Sequence, residues 1–169
     1  MSNIYFSSDL HIGHDNIIKY CKRPCTVEEH TAWILSIVND TLCDDDVMYN
    51  LGDFMVGRKV KLPALQEIIS QLKGTWKFII GNHDNIEKMR VACKGTRHEV
   101  LGEYHSFRYN NVKFVLCHYP IESWDCMRYG AVHLHGHLHD IPLRYMKNRY
   151  NVCLDNEHKI YNISDFMEK

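Results

Sequence analysis

Carboxylate, imidazole and amide side chains gather in five short blocks, and nearly every block follows an apolar run that could form a buried strand. In chain order the blocks contain Asp9 and His11, Asp53, Asn82 and His83, His118, and His137 and His139. Polar side chains in α/β sheets collect beyond the carboxyl ends of the strands, so these residues can meet although the sequence separates them. The pattern predicts a site that holds two metal ions.

The types of these ligands indicate which metals the site favours. Carboxylate, imidazole and amide oxygen without a thiolate suit manganese, iron, cobalt, nickel or zinc better than an all-oxygen magnesium or calcium cage. We take manganese as the first choice, with iron, nickel, zinc, cobalt and magnesium as alternatives. Two such ions about 3.5–4 Å apart lower the pKa of a shared water and attract phosphate, so the predicted chemistry is phosphate-ester hydrolysis.

The first and last blocks each contain two ligands that are two residues apart. In extended backbone this spacing sends both side chains to the same face of the strand. On this reasoning Asp9 and His11 form one pair, His137 and His139 form the other, and each pair can bind one ion.

Length and composition set limits on the rest. The chain has 169 residues, which predicts a single domain over residues 1–169, and its 45% apolar and 24% charged residues are ordinary for a globular protein. The net charge of −1 gives no general attraction to nucleic acid. Seven cysteines without a Cys-x-x-Cys pair indicate neither a disulfide framework nor a thiolate zinc site.

The sequence contains no pattern of a signal peptide and no apolar run of about 18 residues. We therefore expect a cytoplasmic protein without a membrane partner. Its oligomeric state is not predicted.

The first half of the chain alternates between strand and helix patterns. A capping box at Thr26–Glu29 precedes an amphipathic stripe that predicts a helix to about Thr41. A second stripe runs from Leu62 to Leu72, with Pro63 in its first turn and Gly74 as its expected end. Strands are predicted at Ile4–Phe6, Val47–Leu51 and Trp76–Ile80.

The second half is richer in strands. Ser106–Asn110 and Val112–Cys117 predict a hairpin that turns at Asn110 and Asn111. Further strands are expected at Ala131–His135 and Tyr150–Leu154, and a helix at Ile86–Cys93. The expected fold class is therefore α/β (α+β), with two packed sheets and outer helices.

The five blocks together resemble the calcineurin-like metallophosphoesterases, whose pattern is Asp-x-His, Gly-Asp, Gly-Asn-His-Asp/Glu, a lone His, and Gly-His-x-His. The resemblance extends from Asp9 to His139, and the opening Ser8–Ile18 followed by Arg23-Pro24 resembles a small phage and bacterial subgroup. It implies a four-layer α-β-β-α sandwich of two mixed sheets. It also implies one metal on Asp9, His11 and His139, another on Asn82, His118 and His137, with Asp53 bridging and His83 near the leaving group.

The resemblance implies a reaction as well. A hydroxide that bridges the two ions would attack phosphorus, with Asp53 and His83 as the catalytic residues. We expect a small phosphodiester, such as a nucleotide or cyclic nucleotide. A phosphomonoesterase acting on small molecules or phosphoproteins, or a nuclease, is the alternative, and a non-enzymatic scaffold is disfavoured because all seven ligands are present.

One departure concerns His83. The family's protein phosphatases carry a second acid after the Gly-Asp block, and that acid orients the catalytic histidine. This chain has Gly52-Asp53-Phe-Met-Val-Gly57-Arg58 instead, so His83 has to be held by another group, for which Asp84 is a candidate.

Several further residues are candidates for contact with substrate. Asn82 and His83 lie in the metal blocks, and His14, Asn16 and Arg23 could contact phosphate, with ordinary loop structure as the alternative. His133 and His135 are expected to pack or to support ligands. The segment from Arg144 to Tyr150 alternates cations with aromatics and could bind a single strand, but we favour a solvated edge strand.

Overall fold

A computed structural model describes residues 2–167. Its strands are β1 (Ile4–Ser7), β2 (Val47–Leu51), β3 (Thr75–Ile79), β4 (Glu99–Gly102), β5 (Tyr104–Tyr109), β6 (Val112–Cys117), β7 (Val132–His135), β8 (Arg149–Asn151) and β9 (Tyr161–Asn162). Its helices are α1 (Asp15–Tyr20), α2 (His30–Thr41), α3 (Leu62–Ser70), α4 (Ile86–Cys93) and α5 (Leu154–Glu157). Short 3-10 turns lie at Met127–Tyr129 and Ile163–Phe166.

The strands form two mixed sheets. The first sheet has the order β4-β3-β2-β1-β9, in which β1 to β4 are parallel and β9 is antiparallel to β1. The second sheet has the order β5-β6-β7-β8, with an antiparallel β5-β6 hairpin followed by parallel pairs. Parallel neighbours end at the same sheet edge, so their following loops are brought together.

The core is divided between the faces of these sheets. Phe6, Leu51, Phe114 and Leu134 belong to a fully buried apolar cluster that joins the two sheets. The other face of the first sheet packs against α2, α3 and α4 in a cluster centred on Trp76. A smaller cluster, which includes Trp124 and Met127 of the first 3-10 turn, covers the second sheet.

The fold class predicted from the sequence, α/β with two mixed sheets and flanking helices, is confirmed. The bounds of β2 and α4 agree with the prediction, and the hairpin turns at Asn110 and Asn111, which both adopt positive φ (45° and 67°). The Thr26–Glu29 capping box forms its two reciprocal hydrogen bonds, and α2 begins directly after it.

Other details of the prediction were wrong. Gly74 does not end α3, which stops at Ser70; it instead adopts φ +74° in the turn before β3. The strand predicted at Tyr150–Leu154 ends at Asn151. Cys153 forms an isolated bridge with Ser8, and α5 begins at Leu154. Among residues 2–167, none of the helices combines the length and apolar character that crossing a membrane requires.

Candidate metal centre

All five sequence blocks lie just beyond the ends of parallel strands. Asp9 and His11 follow β1, Asp53 follows β2, and Asn82 and His83 follow β3. His118 follows β6, and His137 and His139 follow β7 of the second sheet. Because the two sheets pack face to face, the loops after these strands converge, and the structure brings all seven predicted ligands together.

The first group of ligands consists of Asp9, His11 and His139. His11 Nε2 lies 3.6 Å from Asp9 Oδ1, and His139 Nε2 lies 3.9 Å from the same oxygen. The two imidazole rings stack with their centroids 5.1 Å apart. These three donors could hold one metal ion.

The second group consists of Asn82, His118 and His137. Asn82 Oδ1 lies 3.1 Å from His118 Nε2 and 3.1 Å from His137 Nδ1. Asn82 is exposed and His137 is half-buried, whereas Asp9 and His11 are buried. This group therefore lies nearer to solvent than the first.

Asp53 lies between the two groups. Its Oδ2 is 3.7 Å from His11 Nε2 and 3.4 Å from His118 Nε2. Its Oδ1 accepts a hydrogen bond from the backbone N–H of His83 at 2.8 Å. One oxygen of Asp53 thus faces both groups, while the other oxygen fixes the loop that carries Asn82 and His83.

The two-residue spacing suggested extended backbone at the ligands, but the backbone there is not extended. Asp9, His11, Asp53, His137 and His139 all have positive φ, between 51° and 72°. Non-glycine residues rarely adopt this conformation, and clusters of them mark functional sites. The turn also separates His137 from His139, so the expectation that this pair binds a single ion was wrong: His137 faces Asn82, and His139 faces Asp9.

Two glycines of the sequence blocks allow this close approach. A Cβ added to Gly81 would lie 2.2 Å from Asp53 Oδ1, and one added to Gly136 would lie 2.2 Å from Asp9 Oδ2. Both distances are far inside van der Waals contact. The glycines at these positions are therefore needed for the ligands beside them to keep their places.

The chemistry of the first group fits a metal ion. Asp9 Oδ1 and both ring nitrogens of His11 are buried and lack a hydrogen-bond partner within residues 2–167. Buried polar atoms are almost always satisfied, because leaving one unpaired costs about 1–3 kcal/mol. A cation held between Asp9 Oδ1 and His11 Nε2, which lie 3.6 Å apart, would satisfy these two atoms.

Hydrogen bonds at Nδ1, on the side of the ring away from the site, orient two of the imidazoles. His118 Nδ1 lies 2.9 Å from the carbonyl oxygen of Leu51, and His139 Nδ1 lies 2.7 Å from Asp155 Oδ2. In each ring Nδ1 donates to an oxygen, which leaves Nε2 as the atom that faces the site. Ligating histidines in metalloproteins are held in this way.

Arg23, a candidate for contact with phosphate, is buried and held by other groups of the protein, so the structure favours the alternative of ordinary loop structure. Its guanidinium is fully buried and forms a two-pronged ion pair with Asp155, at 2.7 Å and 2.8 Å. It also donates to the carbonyl oxygens of Asp9 and Leu10 and contacts His30 Nε2. Arg23 therefore ties the loop of Asp9 to Asp155, which holds His139.

The ionisable side chains of the site strongly shift one another's pKa values. Burial alone would raise the pKa of Asp9, but the facing His11 and His118 lower it to about 2. Burial opposes the charged form of His139, yet the Asp155 carboxylate raises the pKa of His139 to about 10. The carboxylates thus stay ionised and favour positive charge in the site, whether it is carried by protons or by metal ions.

The sequence suggested that Asp84 holds the side chain of His83, but Asp84 binds backbone groups instead. Its carboxylate accepts hydrogen bonds from the backbone N–H groups of Asp53, Met55 and Gly81. Burial raises the pKa of Asp84 to about 7, and the neighbouring Asp53 adds to this effect. Asp84 instead fixes the loop after β2 against the loop after β3.

An open cleft of about 480 Å³ borders the ligands. It is lined by His14, Asn16, Val56, Arg58, Lys59, Asn82 and His83. The predicted contacts His14, Asn16, Asn82 and His83 therefore share one cleft. The His83 ring is exposed and lies 5.1 Å from the His11 ring and 5.8 Å from the His14 ring, measured between centroids.

His133 and His135 point away from the ligand groups. Both are buried on β7, and their Nδ1 atoms bond to the carbonyl oxygens of Val115 and Gly136. The alternation of the strand ends at Gly136, so the ligands after it face another direction. These two histidines pack, in agreement with the prediction.

Three residues near the site were not predicted from the sequence. Asp155 holds His139, the Tyr119 hydroxyl lies 3.4 Å from Asn82 Oδ1, and Lys59 lines the cleft while pairing with Asp15 at 3.0 Å. Tyr119 follows a predicted ligand directly, and Asp155 follows a predicted strand. Their positions in the sequence were therefore the available signals.

The chain has relatives among known proteins. No known protein-family model matches the chain. It is 37% identical over 141 residues to an uncharacterized protein of Methanocaldococcus jannaschii, MJ1445, in an alignment that covers 82% of this chain and 70% of that protein. It is 28% identical, over 99% of its length, to the gene 66 protein of Mycobacterium phage D29, of which 96% is covered.

Solved structures share the fold. A protein of unknown function from Aquifex aeolicus superposes with a TM-score of 0.75 at 22% identity, covering 98% of this chain and 97% of that one. A novel archaeal phosphodiesterase superposes with a TM-score of 0.56 at 16% identity, covering 99% and 97%. At these identities the likeness concerns the fold.

Proposed function

Because the chain belongs to the same family as the uncharacterized Methanocaldococcus jannaschii protein, and has the fold of an archaeal phosphodiesterase, we propose that it is a metal-dependent phosphodiesterase. The reaction is hydrolysis of a phosphodiester at a centre of two divalent ions, as in the calcineurin-like enzymes that the sequence resembles. Manganese is the first choice of metal.

The observation that carries this proposal is the position of Asp53 between two complete groups of donors. One oxygen of its carboxylate lies within 3.7 Å of a ligating nitrogen from each group. Each group adds three donors, with Asp9, His11 and His139 on one side and Asn82, His118 and His137 on the other. This arrangement suits two ions that share one carboxylate.

Bound divalent ions would supply an activated water and neutralise the charge of the phosphate. The side chains of the cleft would bind and orient the phosphate. Asn82 and His83 line the cleft beside the ligands, and Arg58 and Lys59 add positive charge there. A phosphate that enters the cleft is therefore met by cationic and hydrogen-bonding side chains beside the ligands.

His83 is the candidate proton donor for the leaving alcohol. Its backbone N–H is fixed by Asp53, and its ring is exposed in the cleft next to His11. Among residues 2–167, no side chain forms a hydrogen bond to this ring that would compete with substrate. A titratable group in this position can protonate an alkoxide as it leaves.

Hydrolysis of bis-p-nitrophenyl phosphate and p-nitrophenyl phosphate by metal-stripped protein tests the proposal. Manganese, nickel, zinc or magnesium is added back separately, and the bound metal is counted. We expect turnover that requires metal, reaches its maximum near two ions per chain, and prefers the diester. A preference for the monoester would favour a phosphatase, and two bound ions without any turnover would favour a binding scaffold.

The leaving group tests the role of His83. His83→Ala should slow hydrolysis of an alkyl phosphodiester by about 100-fold, because proton donation by a positioned side chain typically contributes 10²–10⁴-fold. Hydrolysis of bis-p-nitrophenyl phosphate should change by much less, since p-nitrophenolate leaves without a proton. The ratio of kcat/KM for the two substrates is the measurement. Equal losses on both would show that His83 only positions the substrate.

A further inference from the structure

Two Arg-Tyr dipeptides and a third arginine lie close together beside the second sheet, and we call the area that they form the Arg-Tyr surface. It consists of Arg128 and Tyr129, Arg144 and Tyr145, and Arg149, whereas the ring of Tyr150 packs against Phe166 and is not part of it. Tyr129 is 90% exposed and Tyr145 is 85% exposed, although tyrosine rings are usually at least partly buried. Neighbouring Ile141 and Leu143 are exposed as well. Exposed apolar groups that cluster in this way mark an interaction surface.

Contacts between two segments bring the dipeptides together. Arg144, Tyr145 and Arg149 line a common depression, and Arg149 donates a hydrogen bond to the carbonyl oxygen of Arg144. Asn148 donates to the carbonyl oxygen of Gly130, next to Tyr129. Segment 128–130 therefore lies against segment 144–149, so that the two dipeptides and Arg149 form one area.

The Arg-Tyr surface extends to the metal ligands. The Tyr119 ring lies 4.7 Å from the His137 ring, and the next residue, Pro120, lines the depression that contains Arg144 and Tyr145. Leu138 and Asp140, which flank His139, line the adjoining cavity of about 320 Å³ together with Tyr145. Arg144 and Tyr145 are therefore the part of the surface nearest to the metal centre, whereas Arg128 and Tyr129 lie at the end of β7 opposite to its ligands.

The charge of the surface is locally positive. Residues 141–150 contain Arg144, Lys147 and Arg149 and no acidic residue, although the whole chain has a net charge of −1. Asp140 and Glu122 are the acids that line the two depressions. Arg58 and Lys59 line the cleft on the His83 side of the ligands. Cations therefore lie on both sides of the metal centre.

We propose that the Arg-Tyr surface binds single-stranded nucleic acid, and that the phosphodiester hydrolysed at the metal centre belongs to that strand. This inference rests on the proposed function and narrows its substrate class. Proteins that bind single strands combine cations that follow the phosphates with aromatic rings on which the bases stack. An acidic protein segment could pair with the arginines, but it would offer no bases to the tyrosines and no phosphodiester to the metal centre.

The test compares a single-stranded oligonucleotide with bis-p-nitrophenyl phosphate as substrates of the manganese-loaded protein. The variant combines Arg144→Ala and Tyr145→Ala. The matched control combines Arg108→Ala and Tyr109→Ala, the Arg-Tyr dipeptide on β5, which lies at the other edge of the second sheet from β8. We expect the first pair to raise KM for the oligonucleotide by about tenfold or more, since stacking on one ring is worth roughly 1–3 kcal/mol. Its kcat/KM for bis-p-nitrophenyl phosphate should stay unchanged, and the control should resemble the unaltered protein.

Binding of a fluorescent oligonucleotide to metal-free protein provides a second readout. The affinity should fall as salt is raised, and a polyglutamate of equal charge should displace the oligonucleotide poorly. Equal displacement by polyglutamate, or equal KM values for both paired variants, would overturn the inference. Metal-dependent hydrolysis of bis-p-nitrophenyl phosphate without hydrolysis of the oligonucleotide would overturn it while the proposed function stands. Absence of both activities would overturn both proposals.

Discussion

Asp53→Asn is expected to lower kcat/KM for any phosphodiester by about 1,000-fold or more, which corresponds to roughly 4 kcal/mol of lost transition-state stabilisation. The reason is the place of this carboxylate between the two donor groups. Its Oδ2 lies 3.7 Å from His11 Nε2 and 3.4 Å from His118 Nε2, so one negative charge serves both sides. Asparagine keeps the size of the side chain but removes that charge.

Asp53→Asn should remove the charge of the side chain without removing the hydrogen bond that holds the loop after β3. The amide oxygen of the introduced asparagine could still accept the hydrogen bond from the His83 backbone, so the loop after β3 should keep its place. Metal binding and turnover are therefore the quantities that should fall, while the folded fraction should not.

A matched control is Asp46→Asn. Asp46 is also a buried carboxylate, and it accepts hydrogen bonds from the backbone N–H groups of Asn3 and Cys43, away from the ligands. Turnover per folded molecule should stay unchanged in this control. If Asp53→Asn retained both turnover and two bound ions, Asp53 would not be the bridging ligand.

Local patterns predicted much of the fold and of the ligand positions. The β5-β6 hairpin was predictable because asparagine tolerates the left-handed backbone that its turn requires, and both turn residues adopt it. The convergence of the blocks was predictable because parallel strands end at a common edge. Both features depend on residues that are close in sequence or on a general property of sheets.

The parts that were not predicted depend on long-range packing. β4 begins with the exposed Glu99, and β9 has only two residues, so neither carries a strong strand pattern. Arg23 and Asp155 are 132 residues apart, and no local pattern shows that they pair. The positive φ values of Asp9, Asp53 and His139 arise from tertiary contacts, which is why the argument from extended backbone assigned His137 and His139 to the wrong partners.

The Arg23-Asp155 pair gives the second large prediction. Asp155→Asn should lower the free energy of unfolding of the metal-free protein by about 3–5 kcal/mol, because it leaves the fully buried guanidinium of Arg23 without its counter-charge. It should also weaken metal binding at Asp9, His11 and His139 by about 10–100-fold, since His139 loses the carboxylate that orients it. Denaturant unfolding and metal titration measure the two effects.

The stability effect should depend on pH in a defined direction. Burial would raise the pKa of Asp155, but the facing His139 and Arg23 hold it well below its usual range. A carboxyl with a lowered pKa contributes stability that is present above the unfolded-state pKa, about 3.9, and is lost as the pH falls toward the folded-state value. The difference between the unaltered protein and Asp155→Asn should therefore shrink below about pH 4. Because Asp155 also raises the pKa of His139 to about 10, the difference should be largest between about pH 4 and 6.5 and fall as the pH rises toward 10.

A double variant distinguishes a stabilising role from a positioning role. Arg23→Met combined with Asp155→Leu removes both charges and leaves neither unpaired, so it should recover much of the stability lost in Asp155→Asn. It should not recover metal affinity, because His139 Nδ1 would still lack an acceptor and the carbonyl oxygens of Asp9 and Leu10 would lose their donor. If stability and metal affinity returned together, the pair would support the fold alone. If stability returned without affinity, the pair would act by holding the ligands of one metal position in place.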